Sequence, residues 1–248
     1  MLEMFNSPQF WGDVFKIIVI DLLLSGDNAV VIALACRNLP PEQRRKGILF
    51  GVGGAIGLRV LLTFFAVGLL SLPFLKLIGA LLLLWIGVKL ILPEDAAHGE
   101  SKIKAGAHLM GAVKTIIIAD FVMSLDNVLG VAAVAHGNVW LLAFGLLVSI
   151  PLIAWSSQLV LKLIDRFPVI IYLGGGLLGY VAGEMLVSDA HVAAALEGLP
   201  QILHMLVPSA CALLVVVVGL WLAARRTVAA LVIDLVDEKI TSAEGKKL

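Results

Sequence analysis

"DLLLSGDN" (Asp21–Asn28) sits inside an otherwise apolar run, and its pattern returns farther along the chain as "DFVMSLDN" (Asp120–Asn127). Asp, Ser, Asp and Asn keep their spacing while the apolar residues between them change. A carboxylate at the centre of a membrane span costs about 2.5–3.5 kcal/mol on insertion scales. Four of them would cost about 10–14 kcal/mol if nothing compensated. Packing gives no reason for that penalty, so a cation or a proton is expected to sit with them.

The surroundings of the motifs are those of a membrane protein. Of 248 residues, 60% are hydrophobic and 15% charged, against about 25% charged in soluble domains. The formal net charge is zero, which gives no reason to expect nucleic acid as a partner. Cys36 and Cys211 have no CxxC spacing and read as small buried residues rather than a disulfide or metal site. The start "MLEMFNSPQFWGD" lacks a basic n-region and a small-residue cleavage site, so the first apolar run is expected to be a retained span.

A helical span needs about 20 mainly apolar residues. Seven candidates appear: 14–36, 47–70, 72–92, 108–135, 139–161, 168–188 and 207–224. The fourth is long enough for its start to lie along the interface. Continuous Leu/Ile/Val/Ala/Gly runs argue against the alternating short strands of a barrel. The expected fold is therefore all-α, a polytopic membrane helical bundle of about seven transmembrane helices. A single transmembrane domain would cover 1–226. The remainder, 227–248, reads as a cytoplasmic amphipathic tail, with Val228, Leu231, Val232, Leu235 and Val236 at helical spacing.

Basic residues fall in alternate connections: Arg37, Arg44, Arg45 and Lys46; Lys102 and Lys104; Lys162 and Arg166; Arg225, Arg226, Lys239, Lys246 and Lys247. The other connections are nearly bare, with only Lys76 among them. Short Lys/Arg-rich loops stay in the cytoplasm, which predicts an N-terminus outside and a C-terminus inside.

The doubled motif marks a repeat. "GALLLLWIGVKL" (Gly79–Leu90) resembles "GGLLGYVAGEML" (Gly175–Leu186), so the unit is three spans used twice. Repeat one runs over about 14–92 and repeat two over about 108–188, with the seventh helix at about 207–224. Three is odd, so the two copies enter the membrane from opposite sides, the inverted-repeat plan of many secondary transporters. Gly53, Gly57, Gly175, Gly179 and Gly183 are expected to serve close helix packing. "GVGGAIG" (51–57) has no preceding strand, and no GxxxxGK[ST] occurs, so no nucleotide loop is present.

At about 100° per residue, Asp21, Ser25 and Asn28 share one helix face, as do Asp120, Ser124 and Asn127. Asp27 and Asp126 lie about 120° from the first Asp of each motif unless the helix is distorted. Gly26 is a candidate break that would free backbone carbonyls; Leu125 stands there in the second copy, which leaves a break in span four open. Carboxylate, hydroxyl and amide oxygens suit the hard cations Mg²⁺, Ca²⁺ and Mn²⁺. The absence of His and Cys from the motifs argues against zinc or copper. The competing reading is a polar cluster that glues spans one and four together, with Arg59 as a member. Arg59 lies midway along span two, and the motif aspartates are its obvious partners. It either balances their charge in the empty state and swings aside for a cation, or forms a fixed ion pair. Glu184 and Asp189 read as an outer vestibule or a solvated helix end, and Lys89 as a snorkelling side chain. His98, His108, His136, His191 and His204 have no ligand spacing.

The paired motifs, with "GYVAGEMLVSD" at 179–189, resemble the TerC family of bacterial integral membrane proteins, in its YjbE-type branch of metal transport proteins. In plan the chain is also similar to the lysine-exporter superfamily of inverted three-helix repeats. The resemblance implies a bacterial inner-membrane protein that exports divalent metal, chiefly manganese. It carries the family's acidic residues onto Asp21, Asp27, Asp120 and Asp126, with Asn28 and Asn127 beside them. No ATP motif is present, so proton antiport by alternating access is the expected mechanism, with protons and the metal ion as ligands and no permanently bound cofactor. Rival readings are an exporter of amino acids or other small organic solutes, and a non-transporting metal-handling membrane partner. An intramembrane enzyme is the weakest reading, because the Asn beside each aspartate and the repeat favour a cation cage. Oligomeric state, the choice among Mn²⁺, Ca²⁺ and Mg²⁺, and coupling stoichiometry stay open.

Overall fold

The computed structural model describes residues 8–24, 26–70, 72, 74–93, 102–135, 139–189, 191–193 and 202–244. Within its helices, the side chains at 8, 22–24, 64, 66–70, 102–105, 107, 126–135, 139–140, 142, 202–204 and 227–244 lie outside the description. The described residues form helices: α1 (Pro8–Leu24), α2 (Gly26–Cys36), α3 (Pro41–Leu70), α4 (Leu75–Ile91), α5 (Lys102–Ala135), α6 (Val139–Arg166), α7 (Val169–Ser188) and α8 (Ile202–Glu244). No strand occurs among them. An all-helical answer is what lipid demands, because a helix satisfies its own backbone polar groups.

Five of these helices hold windows long and apolar enough to cross a membrane: Pro41–Thr63, His108–Leu125, Ala143–Arg166, Val169–Ser188 and Met205–Arg226. α1 and α2, bent by 56° at the break between them, make a sixth candidate when taken together as one span. The remaining expected span, 72–92, is α4, whose 17 residues put it at the low end of the roughly 17–25 that a crossing takes. α5 runs on for 34 residues, more than a single crossing needs.

Burial runs opposite to that of a soluble protein. Phe15, Phe65, Trp85, Trp155, Leu173 and Leu213 are exposed, whereas Asp21, Asn28, Arg59, Asp120 and Ser124 are buried. Large apolar side chains outside and charges inside fit lipid as the surrounding solvent. The chain is a multi-pass membrane protein in contact with the bilayer. Two apolar clusters fill the interior. One centres on Ile17, Ile48, Val52, Ile116 and Leu146, the other on Leu34, Leu83, Ile86, Val122 and Leu178. α2 contributes to both, with Ile32 and Cys36 in the first and Val31, Ala33 and Leu34 in the second.

The packing respects the repeat. α3 packs along α5, and α6 packs along α1 and α2. α4 packs along α7, while α8 lies against α7 and α4. Exchanging the first three spans with the second three, in order, leaves this pattern of neighbours unchanged.

Close approach at the α7–α8 and α4–α7 contacts depends on glycine. A Cβ on Gly183 would lie 2.4 Å from Pro208 Cα, and one on Gly179 would lie 2.7 Å from the Cys211 carbonyl oxygen. On Gly175 it would lie 2.5 Å from Ile91. The expectation for span two is corrected: nothing stands within 4 Å of a Cβ at Gly53 or Gly57, and both are exposed. The packing glycines of α3 are Gly47, which lies against Leu39 and Cys36, and Gly51 and Gly54, which press on Ile116 and Ile117 of α5. The helix phase, set by which face meets α5, decides whether Gly51 and Gly54 or Gly53 and Gly57 are used. At the start of α4, Phe74 holds a left-handed backbone (φ 61°), a conformation that costs a non-glycine residue about 1–2 kcal/mol. Its ring stacks on His191 at 4.0 Å.

Gly183→Ala forces α8 off α7 and is expected to lower stability by about 1–3 kcal/mol. Gly57→Ala meets open space and should be neutral or slightly stabilising. Thermal unfolding of the detergent-solubilised protein separates the two; equal shifts would contradict the packing described.

Candidate functional site

Asp21 is the last described side chain of α1 before the break, and it is fully buried. Asp120 lies near the middle of α5 and Arg59 near the middle of α3. The three meet inside the bundle. Arg59 Nη1 donates to Asp21 Oδ1, and Arg59 Nη2 donates to Asp120 Oδ1 at 2.6 Å. Arg59 Nε donates to Ser124 Oγ at 2.9 Å, and Ser124 in turn donates to Asp120 Oδ2 at 3.1 Å. Asn28 Nδ2 donates to Asp120 Oδ1 at 2.8 Å. One guanidinium thus spans two carboxylates from the two motif copies, using the fork geometry that distinguishes Arg from Lys.

The local sequence explains how each group arrives. Ser124 lies one turn after Asp120 on an unbroken helix, so the two share a face. α5 continues through Leu125, which is buried in the second apolar cluster. In the first copy the helix stops at Leu24 and restarts at Gly26, beside the glycine expected to mark the break. The two motifs are therefore not equivalent in backbone: the first is broken and the second is continuous. The restart places Asp27 in the first turn of α2, where a carboxylate is favoured by the helix dipole. Its Oδ1 accepts the Asn28 backbone N–H at 2.9 Å. Asp27 is half-buried and lies within the electrostatic reach of Arg59 and Asp120.

Ser25 falls outside the described residues, as do the side chains of Asp126 and Asn127. Glu184 is exposed on α7, and no described contact joins it to the cluster. Asp189 is buried at the end of α7, where it accepts the Leu77 N–H at 3.3 Å and the His191 N–H at 3.0 Å. It ties α7 to α4 rather than standing as a solvated end. Lys89 is exposed with its ammonium 5.1 Å from the Trp85 ring centroid.

The structure adds one residue that the motif reading lacks. Ser149 of α6 is fully buried and donates to Asp21 Oδ2 at 2.5 Å. Its sequence signal is faint: a lone hydroxyl within "FGLLVSIPL", outside both motif copies. Asn28 Oδ1 is buried, and no donor among the described residues reaches it. A buried acceptor in that condition is uncommon. Among the described residues, no three His, Cys, Asp or Glu side chains stand together as a ready metal cage.

Removing Arg59 alone strands two buried carboxylates. Arg59→Met is expected to destabilise the protein by about 3–5 kcal/mol, and adding Asp21→Asn and Asp120→Asn to restore most of that loss. Unfolding of the single and triple variants in detergent measures both; a triple variant as unstable as the single one would mean that the charges are not coupled.

The chain is similar to proteins of bacterial membranes. It is 46% identical to the uncharacterized membrane protein YjbE of Bacillus subtilis (strain 168) over 174 residues, 70% of this chain and 78% of that one. It is 30% identical to the uncharacterized membrane protein YceF of the same organism over 198 residues, 76% of each chain. To the UPF0053 inner membrane protein YoaE of Escherichia coli (strain K12) it is 27% identical over 197 residues, 69% of this chain and 36% of that one. No solved structure matches. Residues 6–227 match the integral membrane protein TerC family, so the chain belongs to that family.

Proposed function

We propose that the protein is a secondary transporter that exports divalent metal cations, Mn²⁺ first among them, by proton antiport with alternating access. The observation that carries this reading is the meeting of Asp21 and Asp120, one from each motif copy, inside a membrane bundle. Intramembrane carboxylates at a repeat interface mark ion pathways. The unpartnered Asn28 Oδ1 beside Asp120 supports it further, because an amide oxygen is a hard-cation ligand.

Charge balance assigns Arg59 its part. With Arg59 between them, the two carboxylates are held without a metal ion. A divalent cation bound to Asp21 and Asp120 neutralises both, which leaves the guanidinium unpaired and repelled. Binding and the withdrawal of Arg59 are then one event, and Asp27 is at hand as a further oxygen ligand. Ser25, Asp126 and Asn127 belong to the same proposed site by the motif alone. Exporting a divalent ion against an inside-negative potential costs about 4.6 kcal/mol per 100 mV. Protons entering from outside and neutralising the aspartates supply the drive. On this reading the N-terminus is outside and the C-terminus cytoplasmic, as the basic loops indicate, and the chain carries out transport rather than an enzymatic reaction.

In proteoliposomes, an imposed pH gradient is expected to drive Mn²⁺ flux, and flux that ignores the gradient would rule out antiport. Asp21→Asn and Asp120→Asn should each abolish flux while the protein remains in the membrane. Metal binding without any flux would instead point to a non-transporting metal-handling partner, and flux of amino acids without metal to an organic-solute exporter.

A further inference from the structure

A second polar feature lies apart from the aspartate cluster, where the ends of α2 and α4 and the middle of α8 meet the early turns of α5. A cleft of about 350 Å³ opens there. Its charged and titratable lining residues are Lys89, His108 and Arg226, joined by the polar side chains of Asn38 and Thr115. No described carboxylate lines it. Glu94 and Asp95 follow Pro93 in sequence and lie outside the described residues; a cleft that they neutralised would bind no anion.

The carbonyls that end α4 would ordinarily draw a cation to this place. Arg37 already covers them. Its Nη1 donates to the Leu90 carbonyl at 2.6 Å, and its Nη2 to the Leu92 carbonyl at 2.9 Å. Arg226 reaches the Pro93 carbonyl at only 3.5 Å. The helix end is satisfied by one guanidinium, and the cleft keeps an excess of positive groups. Their depth is marked by two exposed tryptophans. Trp85 lies under Lys89, and Trp221 lies under Arg225 with the guanidinium 3.8 Å from its ring centroid. Lipid-facing Trp one turn below a basic residue is the arrangement of the headgroup layer. A basic pocket between membrane helices at that level suits a phosphate-bearing headgroup.

We propose that this cleft binds the phosphate of an anionic phospholipid headgroup, with Lys89 and Arg226 as its principal contacts. The site is independent of the transport reading. It places an anionic lipid against α4 and α8, the two helices that pack on α7, and so at the seam between the repeats and the last helix.

Native mass spectrometry of the full-length protein released from detergent tests the idea with three probes: phosphatidylglycerol, phosphatidylcholine and inorganic phosphate. The wild type should retain phosphatidylglycerol in preference to phosphatidylcholine. Lys89→Gln with Arg226→Gln should weaken that retention roughly tenfold or more, while Lys162→Gln with Arg166→Gln, basic residues outside the cleft, should leave it unchanged. Competition by millimolar inorganic phosphate would identify a free phosphate group rather than the lipid as the source of the anion. Retention unaffected by the cleft variant, or lost equally in the control variant, overturns the proposal. Thermal unfolding of both variants without lipid shows whether a loss is one of binding rather than of folding.

Discussion

A guanidinium in the interior of a lipid-soluble bundle must be answered by negative charge, and Arg59 is answered twice. Its partners come from α1 and α5, so the ion pair joins three spans that are far apart in sequence. Breaking such a network by removing one member leaves an uncompensated charge in low dielectric, the situation that membrane proteins avoid most strictly. The positions of α1, α3 and α5 are therefore linked: any movement that separates them must provide Arg59 or its carboxylates with another partner. A proton or a cation would serve, and that requirement connects the packing of the bundle to the chemistry proposed for it.

The cluster also shows how a repeat divides its work. α3 packs on α5 and supplies Arg59 and thereby the charge for Asp120; α6 packs on α1 and α2 and supplies Ser149 for Asp21. Each motif helix is served by the following helix of the other copy. The two services differ in kind, since one partner is a full charge and the other a hydroxyl. The backbones differ too. In the first copy the helix breaks between Leu24 and Gly26, whereas in the second Leu125, buried with Val122 and Met123, lies within the continuous α5. Symmetry sets the neighbours, and single residues set how each half of the site behaves.

Outside the cluster, the bundle is held by contacts that lipid does not weaken. Without a hydrophobic drive between helices in the bilayer, close approach and interdigitation must supply the attraction. Gly175, Gly179 and Gly183 let α7 come within backbone contact of α8 and up to Ile91 of α4. Large apolar side chains such as Phe15, Trp155 and Leu213 are left to face the acyl chains.

The sequence by itself determined the fold class, because continuous apolar runs of span length admit only helices in a membrane, and it determined the repeat, because polar residues kept at fixed spacing in oil are too costly to be incidental. It also marked Arg59, midway along span two, as a partner for the motif aspartates. Tertiary structure alone decided which glycines pack, because Gly51 and Gly54 differ from Gly53 and Gly57 only in the rotational phase of α3 against α5. It alone brought in Ser149, which no motif contains, and drew Asp189 into the α4–α7 junction while leaving Glu184 on the surface. These are matters of which helix face meets which neighbour. That choice is made by the packing of the whole bundle, and a one-dimensional pattern carries it only where, as in the doubled aspartate motif, the chemistry is too expensive to be placed on any other face.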